Sequence, residues 1–214
     1  IYVGELCRYL FNQQEKPNDS ENPLQTILGN GLRGDYWEAF QKRFSIKKII
    51  EVYGATEGVG GLMNMKGVPG MIGKLSVAGL RLGEVARFNQ DNGEFIRNKE
   101  GFIEKCSIGE TGMFLAKISS TSPFVGYKGN KKATSEKLIS NVFKKGDNYF
   151  ISGDIFKLHK NQYVSFVDRL GDTFKWKGEV VATNEVADMV NRFGDFEDVN
   201  IYGVLVENCE GRAG

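Results

Sequence analysis

The run Tyr53-Gly54-Ala55-Thr56-Glu57-Gly58 gathers in six residues much of what phosphate chemistry asks of a loop. An aromatic ring at its start can stack on a base, and glycine lets backbone amides approach a phosphate closely. The Thr56 hydroxyl can bond a phosphate oxygen, and the Glu57 carboxylate can hold Mg2+. The same run reads equally well as a turn with a hydrophobic plug and a surface acid. It is not a P-loop, because no Gly-Lys-Ser/Thr ending follows. Ser152-Gly153-Asp154 offers an aspartate able to accept ribose hydroxyls, although a Gly-Asp turn in a β-hairpin is the simpler expectation. The stretch from Asp168 to Gly178 carries Arg169, Lys175 and Lys177, cations that could serve phosphate groups. Taken alone, it reads as a charged linker.

Other chemistries find little support. The single histidine, His159, lies in the basic, polar stretch from Lys157 to Asn161, where a surface role is expected, so a Ser-His-Asp triad is disfavoured. Cys7, Cys106 and Cys209 are far apart and unaccompanied by a Cys-x-x-Cys or Cys/His pairing. Neither a disulfide framework nor a zinc site follows, and a reducing compartment is the default. The 214 residues are 41% apolar and 26% charged with a net charge of +1, the profile of a soluble globular domain. Basic residues are interspersed with acids, which argues against nucleic acid as a partner. No apolar run approaches the ~20 residues needed to span a bilayer, and no signal-peptide pattern is present. The chain opens at Ile1 on an amphipathic segment and closes at Gly214 after an apolar run, so both ends read as cut.

The elements that must hold these residues can be read from periodicity. Tyr2 to Phe11 reads as the end of a helix, with Leu6, Tyr9 and Leu10 on one side. That helix and the run Gly60 to Met65 are expected to pack into the core. A polar loop from Gln13 to Pro23 follows. Thr26-Ile27-Leu28 reads as a strand, Gly29 to Gly34 as a loop, and Asp35 as a helix start with Glu38 as its capping-box partner. Trp37, Phe40 and Phe44 recur at helical spacing, and Lys48 to Val52 reads as a second strand. The result is a β-α-β unit, with both Gly-rich loops at the carboxyl ends of parallel strands, where open α/β sheets bind ligands. From Gly58 onward short strands and turns, such as Glu84 to Phe88, Asp91-Asn92-Gly93 and Met113 to Ile118, predict an antiparallel subdomain. Its helical period comes only at Lys131 to Ile139. Tyr149 to Ser152 and Tyr163 to Val167 are two more strands, with a turn near Lys160-Asn161. A boundary falls at Arg169 to Asp172. Beyond it lie a strand at Phe174 to Trp176, a helix from Thr183 with Val186, Met189, Val190 and Phe193 on one face, and a strand at Val199 to Val206.

Order and spacing together carry a resemblance. Gly29-Asn30-Gly31-Leu32-Arg33, Tyr53 to Gly58, and Gly171 to Glu179 running into Val181 to Val186 resemble the adenylate-forming superfamily. With the opening segment Tyr2 to Leu10, they are most similar to its branch of very-long-chain acyl-CoA synthetases and fatty acid transport proteins. The likeness spans essentially the whole chain. The Tyr53–Gly58 motif is moderately specific to the superfamily, and the Gly171–Glu179 stretch is highly specific to the branch. The resemblance implies a mixed α/β (α+β) fold. Residues 1–170 would be the end of a large AMP-binding domain, with a β-α-β layer and an antiparallel β subdomain. Residues 171–214 would be the hinge and the start of a small C-terminal domain.

The resemblance also implies roles. Tyr53 would pack on adenine, Gly29, Asn30 and Gly31 would line the base pocket with Gly54 nearby, and Thr56 would bond the α-phosphate. Glu57 would hold Mg2+, Asp154 would take the ribose hydroxyls, and Arg169 would assist at ribose or phosphate. Gly171 and Asp172 would form the hinge. Lys175 and Gly178 would line the thioester-forming side after rotation, with Lys175 also counted among the catalytic residues beside Thr56 and Glu57. The implied substrates are a fatty acid, ATP and CoA, the implied location an endoplasmic reticulum, peroxisome or lipid-droplet membrane surface. The superfamily's Ser/Thr/Gly-rich phosphate loop and its adenylation lysine are not among these residues, so the segment alone is expected to have little or no synthetase activity. Two alternatives stand beside this reading: a non-enzymatic fatty acid uptake module, and an adenylate-forming ligase for another acid such as a bile acid.

Overall fold

Apolar runs interrupted by glycine build the first layer. The computed structural model describes residues 1–214 except 90, 91, 171, 172, 177, 178, 194, 195, 197, 198, 206–211 and 214. For 175, 176, 179, 180, 205, 212 and 213 it describes the backbone alone. Strand β1 (Tyr2–Val3) runs into α1 (Gly4–Asn12), followed by β2 (Thr26–Asn30), α2 (Trp37–Arg43), β3 (Lys48–Tyr53) and β4 (Leu62–Asn64). These strands form one sheet in that order, parallel from β1 to β3, with β4 antiparallel at the edge. The expected β-α-β unit is therefore present, with Ile27 beside Ile49 and Leu28 beside Ile50. Cys7 of α1 and Trp37 and Phe40 of α2 bury against Tyr2, Ile27 and Ile49. Each such large apolar side chain contributes roughly 1.5–3 kcal/mol on burial.

Three local expectations are corrected here. The first helix starts at Gly4 rather than Tyr2, because Tyr2 and Val3 pair with Gly29 and Asn30. Glycine permits that approach: a Cβ on Gly4 would stand 1.7 Å from the Gly31 carbonyl oxygen, and one on Gly29 2.0 Å from that of Tyr2. Leu6, Tyr9 and Leu10 are exposed, and Gly4 and Cys7 are the buried residues of α1, so the expected core face is not the one that packs. The second helix starts at Trp37, without a side-chain cap. Asp35 instead accepts the Tyr36 N–H and the Arg33 guanidinium, each at 3.0 Å, and no capping box forms. In the run from Gly60 to Met65, Leu62 and Asn64 are buried while Met63 and Met65 are exposed, the alternation of a strand.

The second layer holds β5 (Gly73–Lys74), the small hairpin of β6 (Ser76–Val77) and β7 (Leu80–Arg81), β8 (Gly83–Ala86), β9 (Thr111–Lys117) and α3 (Lys131–Glu136). Then come β10 (Leu138–Ser140), β11 (Asn148–Leu158) and β12 (Tyr163–Arg169). The main sheet has the order β5-β12-β11-β9-β8, with β10 on β11 and antiparallel pairing throughout. Period-two alternation sends Phe114 one way and Met113 and Leu115 the other. Phe114, Phe150, Phe156 and Val164 share a core with Val59 and Leu62, which come from the segment after β3. That shared core sets the loop after β3 against β11 and β12.

Ser152-Gly153-Asp154 is not the turn of a hairpin. It lies inside β11, where the register with β9 shifts between Ile151 and Ile155 and Gly153 takes φ 85. Between these pairs β11 advances four residues and β9 two, so β11 carries two extra residues, with a left-handed glycine among them; such a β-bulge re-aims side chains beside functional sites. Beyond β12 follow β13 (Phe174–Trp176) and β14 (Glu179–Val181), paired antiparallel, then α4 (Thr183–Asn191), β15 (Val204–Leu205) and β16 (Arg212–Ala213). Within α4, Thr183 and Ala187 are buried while Met189 is exposed, as is Phe193 beyond it, so the expected apolar face is not the packed one. No helix among the described residues is long and apolar enough to cross a membrane.

Candidate nucleotide-binding site

The carboxyl ends of β2 and β3, the strand β12 and the start of α4 enclose a cleft of about 650 Å³. Asn30, Gly31, Tyr53, Gly54 and Arg169 line it. Its size is that of a small-molecule site. Gly29, Thr56, Glu57 and Asp154 do not line the same cleft. Gly29 is occupied by its close approach to Tyr2. Asp154 sits just behind the wall, and Thr56 and Glu57 lie on the turn beyond Gly54.

Tyr53 and Arg169 are joined through Asp154. The Tyr53 phenol donates to Asp154 Oδ2, and Arg169 Nε donates to Oδ1 at 2.9 Å. The bulge makes this possible. Ser152 Oγ donates to the Phe114 carbonyl at 2.8 Å and accepts the Asp154 N–H at 3.0 Å, which fixes the aspartate backbone. Asp154 is buried, whereas the Arg169 side chain is largely exposed. The Tyr53 ring meets Phe156 and Phe114 edge-on, with centroids at 5.0 and 5.7 Å. Burial, reinforced by Asp154, pushes the Tyr53 phenol far above its ordinary value, so it remains a donor.

The turn holding Thr56 and Glu57 is closed by Gly58, at φ 76, whose N–H reaches the Ala55 carbonyl at 2.9 Å. Thr56 is exposed, and its hydroxyl donates to Glu57 Oε2 at 3.2 Å. The other oxygen, Oε1, accepts the Tyr127 phenol at 2.5 Å. The Tyr127 hydrogen bond, the largest influence, holds the Glu57 carboxyl below the usual carboxylate range. Reciprocally, that bond pushes Tyr127 up to about 12.

Beneath the loop from Gly29 to Gly34, Glu51 is buried and accepts from the Tyr2 phenol and the Gly31 N–H. Burial raises its carboxyl to about 7, against the lowering effect of those hydrogen bonds. Glu51 thereby pins β1 and the Gly31 turn to β3. On the opposite wall, Arg33 reaches both Asp35 and Asp188 of α4.

No family model matches the sequence. Long-chain fatty acid transport protein 5 of Homo sapiens is 43% identical over 216 residues, covering 100% of this chain and 31% of that protein. Long-chain fatty acid transport protein 2 of Rattus norvegicus is 44% identical over 215 residues, covering 100% of this chain and 35% of that protein. The chain belongs to the fatty acid transport protein family. It spans about a third of the length of the curated relatives it matches. Among solved structures, an anthranilate CoA ligase in complex with anthranoyl-AMP superposes with a TM-score of 0.65 at 19% identity, over 93% of this chain and 35% of that one. The architecture is thus the adenylate-forming fold that the motifs implied.

Within this fatty acid transport protein chain, the structure brings Tyr53, Asp154 and Arg169 together beside Asn30, Gly31 and Gly54 and sets Thr56 and Glu57 on the turn that follows Gly54. Gly171, Asp172 and Gly178 lie outside the described residues. Lys175 is placed in β13 by its backbone, opposite Val180. His159 is half-buried rather than superficial, with Nε2 2.8 Å from Ser165 Oγ. Three residues escaped the sequence reading: Glu51, Tyr127 and Asp168. A carboxylate inside the apolar run of β3 was the available signal for Glu51. Asp168 is fully buried and accepts the Thr183 N–H at 2.6 Å and the Asn184 side-chain amide at 2.9 Å, capping α4 from β12. No local pattern marked it, since Phe166 two positions before it is exposed and the register with β11 shifts between the two. Nothing local marked Tyr127.

Proposed function

We propose that this chain supplies the nucleotide-facing wall of a fatty acid–CoA ligase, which joins a fatty acid to AMP and then passes the acyl group to CoA. The observation that carries this reading is the Tyr53–Asp154–Arg169 link on the wall of the cleft shared with Asn30, Gly31 and Gly54. In the first half-reaction a carboxylate oxygen attacks the α-phosphorus of ATP, an O–P bond forms, and pyrophosphate leaves. In the second, the CoA thiol attacks the acyl carbonyl, gives up its proton, and AMP leaves. The first step brings two anions together, so preorganised donors and cations must supply most of the stabilisation.

Several side chains suit those tasks. Asp154 can accept ribose hydroxyls, since each carboxylate oxygen keeps a second lone pair beyond the bond to Tyr53 or Arg169. Tyr53, held protonated, keeps that carboxylate oriented. The exposed Thr56 hydroxyl can turn from Glu57 to an α-phosphate oxygen. Among the described residues no group of three or more His, Cys, Asp or Glu could hold a metal. That suits Mg2+, which is commonly held by one or two carboxylates together with substrate phosphates rather than by an all-protein cage. The half-buried Glu57 would hold it, and the ion, when bound, would neutralise phosphate charge. Gly171 and Asp172 serve as the hinge in this reading, and Lys175 and Gly178 face the thioester half-reaction.

The test is Glu57→Gln in the complete polypeptide. Fatty-acid-dependent ATP–pyrophosphate exchange is expected to fall by at least a hundredfold, with an unchanged circular dichroism spectrum and melting temperature. A fully active variant rejects the role of Glu57. These residues alone are expected to show no exchange. The relatives' names point to a second reading, fatty acid transport without ligation. Fatty acid uptake that proceeds without consumption of ATP and CoA would favour it.

A further inference from the structure

Lys137 is the cation that no role yet claims. It caps the C-terminus of α3 and stands immediately before β10, and its carbonyl accepts the Ile151 N–H of β11 at 2.9 Å. The next residue, Leu138, pairs with Phe150. The backbone of Lys137 is therefore fixed beside the strand just ahead of the Ser152–Asp154 bulge. Its side chain follows the same direction. The ammonium lies 5.8 Å from the Phe150 ring centroid and 3.5 Å from the Ser152 carbonyl oxygen. A Cβ added to Gly153 would meet it at 3.9 Å, so the bare glycine face of the bulge is turned towards the ammonium. After the larger effect of the Tyr127 hydrogen bond, the Lys137 charge also favours the charged form of the Glu57 carboxylate.

These contacts are incomplete for an ammonium, which carries three donors. Lys137 is half-buried and forms no ion pair among the described residues, whereas Arg169 is tied to Asp154. The ammonium lies beside the bulge that carries the aspartate suited to ribose, and its charge is felt at the Glu57 carboxylate on the turn suited to phosphate. A nucleotide laid from one to the other carries its phosphate groups past it. We propose that Lys137 is a phosphate-binding residue, its ammonium pairing with the phosphoryl oxygens of the bound nucleotide from the bulge side. This rests on the nucleotide reading above and adds to it a cation that belongs to neither the Tyr53–Gly58 motif nor the segment after Asp168.

The experiment compares Lys137→Met and Lys137→Arg with the wild type in the complete polypeptide. Calorimetric binding of ATP, AMP and adenosine is measured, together with the KM values for ATP and for fatty acid. Methionine keeps the aliphatic stem over Phe150, so folding should survive. Lys137→Met is expected to weaken ATP and AMP about tenfold, about 1.4 kcal/mol, and to leave adenosine unchanged, since adenosine offers no phosphate to pair with the ammonium. The KM for ATP should rise about tenfold with that for fatty acid constant, and Lys137→Arg should restore most of the loss. Unchanged ATP binding, an equal loss for adenosine, or a shift confined to the fatty acid KM would each overturn the proposal. A wild type that binds neither ATP nor AMP would instead refute the nucleotide reading, and this proposal with it.

Discussion

The strands bury Glu51 and Asp154 to 2% and 4% exposure, while the turn after β3 leaves Glu57 half-buried. All three carboxylates accept a tyrosine hydroxyl. The difference lies in what else holds them. Glu51 and Asp154 grow from strands whose neighbours are fixed by ladder hydrogen bonds, and their oxygens also take a backbone N–H or a guanidinium. Glu57 stands on a glycine-closed turn, and the side chains that hydrogen-bond it are the hydroxyls of Thr56 and Tyr127. Two carboxylates thus serve as structure that shapes a site, and the third remains able to exchange partners. A ligand that arrives and departs needs one group of the second kind.

The largest effect should come from Glu51. Its carboxyl is raised to about 7 in the folded chain against an ordinary value of 4.5, mainly by burial. A raised acid stabilises the fold fully below its unfolded pKa and loses that contribution as pH climbs through the folded one. Stability should therefore fall between pH 4.5 and about 7, by an amount on the order of 3 kcal/mol. Denaturant titrations at stepped pH would show it. Glu51→Gln should flatten this slope, and an unchanged slope in the variant would remove Glu51 as its source.

Asp154→Ala comes next. It strands the largely buried Tyr53 phenol, which loses the acceptor that reaches it across from β11 to β3. A loss of about 2 kcal/mol is expected, typical of a hydrogen bond to a charged partner. The Arg169 pair adds little, since that guanidinium is largely exposed. Glu57→Gln, by contrast, should change stability by less than about 0.5 kcal/mol. Equal losses from the two substitutions would erase the distinction between them.

The same contrast explains what the sequence disclosed. The β-α-β unit was legible because Trp37 and Phe40 recur at helical spacing and the runs around Ile27 and Ile49 are bounded by glycine loops. The Tyr53–Gly58 turn announced itself because its residues are contiguous. The bulge at Gly153 did not, since a Gly-Asp pair signals a turn and a bulge alike and only the pairing of β9 with β11 separates them. Tyr127 was invisible for a different reason: 70 residues separate it from Glu57, and long-range packing such as that of Phe124 on Phe150 brings the loop across. The Asp168 cap needed the same long-range information, joining β12 to a helix whose first residue lies fifteen positions on. Contacts within a motif are written in the sequence, and those that orient the motif are written in the topology.

The smallest effect tests that last point. Tyr127→Phe removes one hydroxyl and leaves the edge-on contact of its ring with Phe124, at 5.8 Å between centroids. The bond to Glu57 lies near the surface, so its loss should cost only a few tenths of a kcal/mol at pH 7. The sign of its pH dependence is opposite to that of Glu51. Because Tyr127 lowers the folded pKa of Glu57, its contribution is present above the ordinary glutamate value and fades as pH falls through the depressed one. Wild type and Tyr127→Phe should therefore converge in acid, where Glu51, protonated, still makes its full contribution. A gap between wild type and Tyr127→Phe that persists unchanged below pH 4 would mean that the tyrosine acts through packing, and that Glu57 owes its position to the turn alone.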